Sequence, residues 1–256
     1  VLVPTMGALH EGHFSLVRRA RECAGEEGLV MVSIFVNPIQ FDQADDLKSY
    51  PRPMERDLEF CRGLGVDVVF APEEGGMYEA DHSVLVTESR LSRGLCGVAR
   101  PGHFDGVCTV VLKLFLLTGC GWAVFGEKDF QQLAVIRRMV RDLDVPVEIV
   151  ACPTVREPDG LAMSSRNVRL TPEQRADAPR IVRILREVAG MREEPGVMME
   201  RARLEMEAGG LARVDYVRLI DAETLEEAGC GGSRVLLAAA VFYGGVRLID
   251  HVEIED

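Results

Sequence analysis

Apolar and polar positions along this chain follow two different grammars. Up to about residue 151, short apolar runs of strand length alternate with longer stretches whose apolar residues recur every three or four positions. Val1-Leu2-Val3 opens inside such a run, which implies that upstream sequence is missing, and an amphipathic helix follows over 14–23. Residues 29–36 are continuously apolar, as a strand covered on both faces should be. Further strands are predicted at 66–71, 83–87, 122–125 and 147–151, with helices at 54–64, 105–117 and from Gly126 onward. The 105–117 helix is apolar nearly all round, so it should be buried in the fold or in a subunit contact. Alternation of this kind calls for an α/β domain. Its sheet should be Rossmann-like and parallel, with right-handed crossovers and helices on both faces.

The second grammar starts past Pro153-Thr154, where residues 153–160 read as a hinge. Thr171-Pro172-Glu173-Gln174 is a capping box with proline at the first helical position. The helix it opens should run to about residue 191 with a kink at Pro179, and a shorter one should cover 197–208. Strands are expected at 214–220, 234–243 and 246–254, the last two joined by a hairpin at Gly244-Gly245. The division is therefore a larger domain, 1–154, and a smaller α+β domain, 155–256, with no internal repeat.

Composition narrows the function classes. With 256 residues, 47% hydrophobic and 27% charged, the chain has the make-up of a soluble globular protein. A formal charge of −12 argues against a nucleic-acid partner, and an anionic small ligand would need a local cluster of Lys, Arg and His. Seven cysteines, with no C-x-x-C pair, fit reduced thiols in a cytoplasmic protein. No signal peptide opens the chain. The most apolar window, 107–125, contains Lys113, Gly119 and Gly121, which favours a buried helix plus loop over a membrane span.

Candidate chemistry sits where strands end. In Pro4-Thr5-Met6-Gly7-Ala8-Leu9-His10-Glu11-Gly12-His13-Phe14, a strand passes through a glycine-bearing turn into a helix. His10 and His13 lie three apart at that helix start, where free N–H groups and a partial positive charge suit a phosphate. A plain turn with two solvated histidines is the competing reading, and the spacing does not match a zinc pair. Pro38 stops the ladder of the 29–36 strand, so Asn37 and Gln40 should project from the carboxyl end of that strand, where open α/β sheets bind ligands. Loop polars facing water would look the same. Asp57 falls in the first turns of the 54–64 helix, and Arg100 and His103 precede the 105–117 helix. Gly126 and Lys128 form a second strand-to-helix corner that suits phosphate, although neither a P-loop nor G-x-G-x-x-G is present. Ser164-Ser165-Arg166 offers several donors in a row, and a solvated loop is its ordinary alternative.

Six segments together are far more specific than any one. PTMGALHEGH, SIFVNPIQF, YPR, RPGHFDGV, GEKDFQQ and REPDGLAMSSRN, in this order and spacing, resemble the pantothenate synthetase (pantoate–β-alanine ligase) family of the cytidylyltransferase-like superfamily. The likeness runs nearly end to end and includes Arg247-Leu248-Ile249-Asp250. It implies a Rossmann-like domain binding ATP and pantoate, a smaller C-terminal lid domain, and a homodimer. It also implies a two-step reaction that forms pantoyl adenylate and then couples it to β-alanine. By this resemblance His10, His13 and Lys128 are catalytic, with His13 the acid/base of the second step. Met6, Gly7, Gly126, Glu127, Lys128, Asp129, Val155, Met163, Ser164, Ser165 and Arg166 join the two histidines in binding ATP. Gln40, Gln132 and Asn37 would bind pantoate, Gln40 also β-alanine, and Asp57 would help seat Mg²⁺. Tyr50, Arg100 and His103 would line the site.

Departures are few: the family's upstream N-terminal helix is absent, Gly121-Trp122 stands where Pro-Asp is usual, Pro179 interrupts a helix, and His251 replaces an Asn. Two rival readings are a nucleotidyltransferase on the same scaffold, which gives Gln40 and Gln132 no purpose, and a non-catalytic dimeric binding module.

Overall fold

In the computed structural model, which describes residues 1–191, 193–228 and 234–254, the chain forms two compact units, Val1–Pro153 and Thr154–Asp256. In the first, β1 (Leu2–Thr5), α1 (Glu11–Ala24), β2 (Met31–Ile34), α2 (Ala44–Ser49), α3 (Met54–Gly63) and β3 (Val68–Phe70) come in order. Then follow α4 (Glu74–Met77), α5 (Cys96–Ala99), α6 (His103–Thr118), β4 (Trp122–Gly126), α7 (Phe130–Asp142) and β5 (Glu148–Cys152). The sheet order is β3-β2-β1-β4-β5 and every pairing is parallel. Its direction of growth reverses between β1 and β4, so the crossovers from β1 and from β4 lie on opposite faces. β1 pairs with β2 along its whole length but is in register with β4 only at Leu2↔Ala123. The carboxyl ends of β1 and β4 thus flank a switch point, the place where open α/β sheets hold ligands.

The apolar face of α1 supplies Leu16, Val17 and Ala20 to a core with Val3, Val32, Ile34, Val124 and, from α3, Cys61. Phe14 and Phe60 close that layer with ring centroids 4.7 Å apart. Ten residues of α6 are buried, in line with its all-round apolar pattern.

Two expected elements differ. Residues 83–87 join no sheet; Val84 and Leu85 are exposed, and the Val86 N–H is satisfied by the Thr109 hydroxyl at 2.9 Å instead of a ladder partner. The run 29–36 pairs only over Met31–Ile34, because Pro38 turns the chain, although Phe35 and Asn37 stay buried.

In the second unit α8 (Pro172–Asp177), α9 (Arg180–Ala189) and α10 (Pro195–Glu207) precede an antiparallel sheet, β6 (Arg213–Asp221), β7 (Val235–Tyr243) and β8 (Val246–Ile254), in the order β6-β7-β8. Thr171 and Gln174 form the capping box. Pro179 separates α8 from α9 outright, where a kink was expected, since a prolyl residue cannot donate the interior helix hydrogen bond. Ile181, Ile184, Leu185 and Val188 of α9 meet Met198, Ala202 and Met206 of α10 over Leu237, Ala239 and Val241 of β7. Gly244 turns the β7–β8 hairpin at φ 58°.

Candidate functional site

The turn after β1 is held by hydrogen bonds to distant parts of the chain as well as by its own. Gly7 takes φ 78° and Ala8 φ 52°, a left-handed pair that costs strain at the alanine. The Thr5 hydroxyl donates to Ser33 O at 2.7 Å and accepts from Gly7 N at 3.1 Å. Asp57, only 1% exposed, takes Ala8 N and Leu9 N on its two carboxylate oxygens, each at 2.8 Å. A Cβ on Gly7 would stand 2.9 Å from Asp57 Oδ2 and 3.0 Å from Ile34 Cγ2, so no other residue fits between loop and carboxylate.

His10 caps α1. Its Nδ1 accepts Gly12 N at 3.2 Å, and the Nδ1 of His13 accepts His10 N at 3.3 Å. Both imidazoles therefore carry their proton on Nε2 and are neutral donors at their outer edge. The rings lie 4.2 Å apart. Burial, reinforced by the Lys128 charge, lowers His10 to about 4. Burial and then His10 lower His13 to about 3. The expectation of free N–H groups at this helix start is corrected. The His10 ring occupies Gly12 N, and His10 O accepts from His13 N and Phe14 N, so these N–H groups are already engaged.

Lys128 and Asp129 stand at the carboxyl end of β4, with Nζ 3.5 Å from Asp129 Oδ1, and both act electrostatically on the two histidines. Gly126 and Glu127 complete that corner. One turn into α7, Gln132 is half-buried and has no side-chain hydrogen bond among the described residues.

Gln40 is fixed from several directions. Its carbonyl accepts from His103 Nδ1 at 2.8 Å, so His103 carries its proton there, and the His103 Nε2 accepts from Arg100 Nη1 at 3.2 Å. Arg100 is anchored by Asp42 at 3.0 Å. Burial first, then Arg100, lowers His103 to about 4. Arg100 and His103 thus clamp the Pro38–Gln40 turn. The Gln40 amide contacts Asn37 and the Met6 sulfur, and Asn37 also meets Tyr78. Tyr50 packs edge-on against Phe41 at 5.7 Å. Sequence patterns did not single out Tyr78 or Gln131. Gln131 is buried and braces the 91–96 loop through Leu91 O, Gly94 O and Cys96 N. Its neighbour Gln132 gave the pair its motif, and only burial separates them.

Asp57 does not fit a metal ligand. Both its oxygens serve backbone amides, and among the described residues no three His, Cys, Asp or Glu side chains gather as a metal site.

In the second unit, Val155, Met163, Ser164, Ser165 and Arg166 lie on one loop. Met163 N bonds Val155 O at 3.0 Å, Ser164 Oγ accepts Arg166 N at 3.2 Å, and Asn167 Nδ2 reaches Ala162 O at 3.1 Å. Upstream, Arg156 grips Asp250 of β8 through two bonds of 2.6 and 2.8 Å.

Comparison with known proteins follows the same lines. The pantoate-beta-alanine ligase family model matches residues 1–253. A pantothenate synthetase of Akkermansia muciniphila is 51% identical over 99% of this chain and 92% of its own length. One from Moorella thermoacetica is 51% identical over 99% and 90%. The crystal structure of pantothenate synthetase from Thermus thermophilus superposes with a TM-score of 0.93 at 45% identity, covering 100% of this chain and 93% of that one. The pantoate-beta-alanine ligase of Francisella tularensis, solved with β-γ ATP and β-alanine, gives 0.85 at 36% identity, covering 100% and 89%.

Proposed function

Because this chain belongs to the pantoate–β-alanine ligase family, we propose that it condenses pantoate with β-alanine at the expense of ATP. The products are pantothenate, AMP and pyrophosphate, and pantoyl adenylate is the intermediate. The observation that carries the reading is the pair of neutral Nε2–H donors, His10 and His13, held beside Lys128 at the sheet's switch point.

Pantoate's carboxylate, with a pKa of about 4, is already ionised near neutrality, so attack on the α-phosphorus needs no base. It needs alignment and neutralisation of developing charge. His10 and His13 donate to α-phosphate oxygens, and Lys128 offsets charge on the departing pyrophosphate. Ser164, Ser165 and Arg166 take the outer phosphates, while Met6, Gly7, Gly126, Glu127, Asp129, Val155 and Met163 frame the nucleotide. Gln40, Asn37 and Gln132 hold pantoate, and Gln40 also serves β-alanine. Tyr50, Arg100 and His103 support the wall. Residues 1–154 form the ATP- and pantoate-binding domain and 155–256 the lid domain.

The acid/base role expected of His13 is revised. Its Nδ1 is engaged and its Nε2 is protonated, so it stabilises charge rather than accepting a proton. A Mg²⁺ ion arriving with ATP would offset charge on the nucleotide phosphates, and Asp57, whose two oxygens accept Ala8 N and Leu9 N, is not assigned to it.

A homodimer is supported by exposed apolar side chains at Leu116, Leu117, Trp122 and Leu143. Cys23, Cys61, Cys108, Cys120 and Cys152 are free thiols, which supports a cytoplasmic location, and no described helix is long and apolar enough to cross a membrane.

The test is AMP formation from ATP with pantoate and β-alanine together, and with each omitted. Sustained AMP release should require both. Release independent of pantoate would favour a different nucleotidyl transfer, and no turnover in any arm would favour a binding module.

A further inference from the structure

We propose that Tyr78 is a positioning residue which, acting through Asn37, fixes the Gln40 amide so that it offers only N–H donors to the hydroxy-acid substrate. The inference rests on the reading of Gln40 as a pantoate-binding group. It starts from a group whose role is unambiguous: the Gly106 carbonyl can only accept. The Asn37 atom 3.0 Å from it is therefore the amide nitrogen, Nδ2. That nitrogen also reaches Gln40 at 3.0 Å, so the Gln40 atom it meets is the oxygen, Oε1. Asn37 Oδ1 is left facing the Tyr78 hydroxyl at 2.9 Å, which must donate. With Oε1 committed, Gln40 turns Nε2 toward Met6 Sδ at 3.0 Å, a thioether and hence a weak acceptor. Those N–H groups are the ones available to a better acceptor.

The chain is buried throughout: Asn37 is 1% exposed, Gln40 7% and Tyr78 8%. The backbone beneath it is closely packed, since a Cβ on Gly106 would stand 2.6 Å from Gln40 Cα, and His103 holds the Gln40 carbonyl. What remains to be decided is the sense of the side-chain amide, and the Gly106 carbonyl and the Tyr78 hydroxyl, facing the two ends of the Asn37 amide, decide it together. Phe35 lies against its ring at 6.2 Å, and the Lys113 ammonium sits over that ring at 5.7 Å. Burial pushes the phenol up to about 12, so it remains a donor over the working pH range.

The consequence is chemical. Gln40 meets acceptor oxygens, a carboxylate or a hydroxyl, and disfavours an ammonium at that point. Removing the phenol oxygen strands Asn37 Oδ1 in a buried place, and the Asn37 amide can regain a partner for it by turning over, which gives up the bond to Gly106 O and brings Oδ1 to face Gln40. Gln40 then turns Oε1 toward the substrate, oxygen against oxygen.

Tyr78→Phe, Gln40→Ala and the double variant, assayed in the full enzyme, form the test. Tyr78→Phe should raise the KM for pantoate about five- to tenfold, leave the KM for ATP within about twofold, and melt close to the parent. In the Gln40→Ala background it should add no further change, because its effect passes through Gln40. Additive effects would overturn the proposal, as would a Tyr78→Phe variant that alters both KM values with a large loss of melting temperature. If Gln40→Ala raises the pantoate KM while Tyr78→Phe is silent, this proposal falls and the reading of Gln40 stands. If Gln40→Ala is itself silent toward pantoate, the reading falls and takes the proposal with it.

Discussion

A histidine whose Nδ1 accepts a backbone N–H has a proton to offer at Nε2 and no lone pair left to take one. His10 and His13 are both in that state, and the cause is local: His10 N and Gly12 N supply the donors. Their pKa values, lowered to about 4 and about 3, say the same thing thermodynamically. The unfolded chain takes up a proton at each as pH falls through about 6.5, while the folded protein refuses it until far lower. Stability from these groups is therefore complete above pH ~6.5 and is lost progressively as pH falls toward about 4; His103, lowered to about 4, adds to the same window. The expected result is a urea midpoint that drops between pH 7 and 5 while the ring Cε1–H resonances of His10 and His13 stay untitrated. A resonance of either moving with a midpoint near 6.5 would refute the neutral assignment.

At the scale of the element, the loop joining β1 to α1 depends on a carboxylate 48 positions away in the chain. Asp57 comes from the first turns of α3 and gives one oxygen to each of two successive N–H groups, with Ala8 held at positive φ between them. Each such bond to an ionised group contributes about 1.5–3 kcal/mol, enough to offset the alanine strain. Asp57→Ala should cost roughly 3 kcal/mol in urea unfolding. It should also lower kcat by about 10²-fold, since His10 and His13 hang from the relaxed loop. Asp57→Asn should follow in direction, because an amide nitrogen would then face an N–H. A variant with unchanged kcat would show that the loop holds its shape unaided.

Contiguous features were the legible ones: the HxGH turn, the strand-to-helix corner at Gly126 and the Thr171 capping box can each be read within a few residues. Pairing was not, because an apolar run reports burial rather than ladder partners. Residues 83–87 are apolar at their centre like a strand, yet they join no sheet and the Val86 N–H goes to the Thr109 hydroxyl. The metal role expected of Asp57 came from the family resemblance, and local sequence could not correct it. Nothing near it in sequence says that Ala8 and Leu9 claim both its oxygens, just as nothing near Tyr78 points to Asn37, 41 positions away.

For the molecule as a whole, a charge of −12 keeps anions away unless a local group admits them, and the first unit gathers Lys128 beside two N–H-donating imidazoles. That assembly stabilises negative charge but lacks an imidazole able to deprotonate water. The distinction matters once pyrophosphate has left, because an acyl adenylate is open to hydrolysis wherever a base can activate a water. Here both Nδ1 atoms are occupied and both Nε2 atoms protonated, so the intermediate should persist until an amine arrives that is nucleophilic by itself. Enzyme at substrate-like concentration, mixed with ATP, Mg²⁺ and pantoate but no β-alanine, should release about one pyrophosphate per site and then stall. Adding β-alanine should discharge it, with one AMP appearing for each adenylate formed. Pyrophosphate released continuously without the amine would mean that a base activates water after all, against the tautomers assigned. Pyrophosphate withheld until the amine is present would replace the two-step scheme with a concerted one.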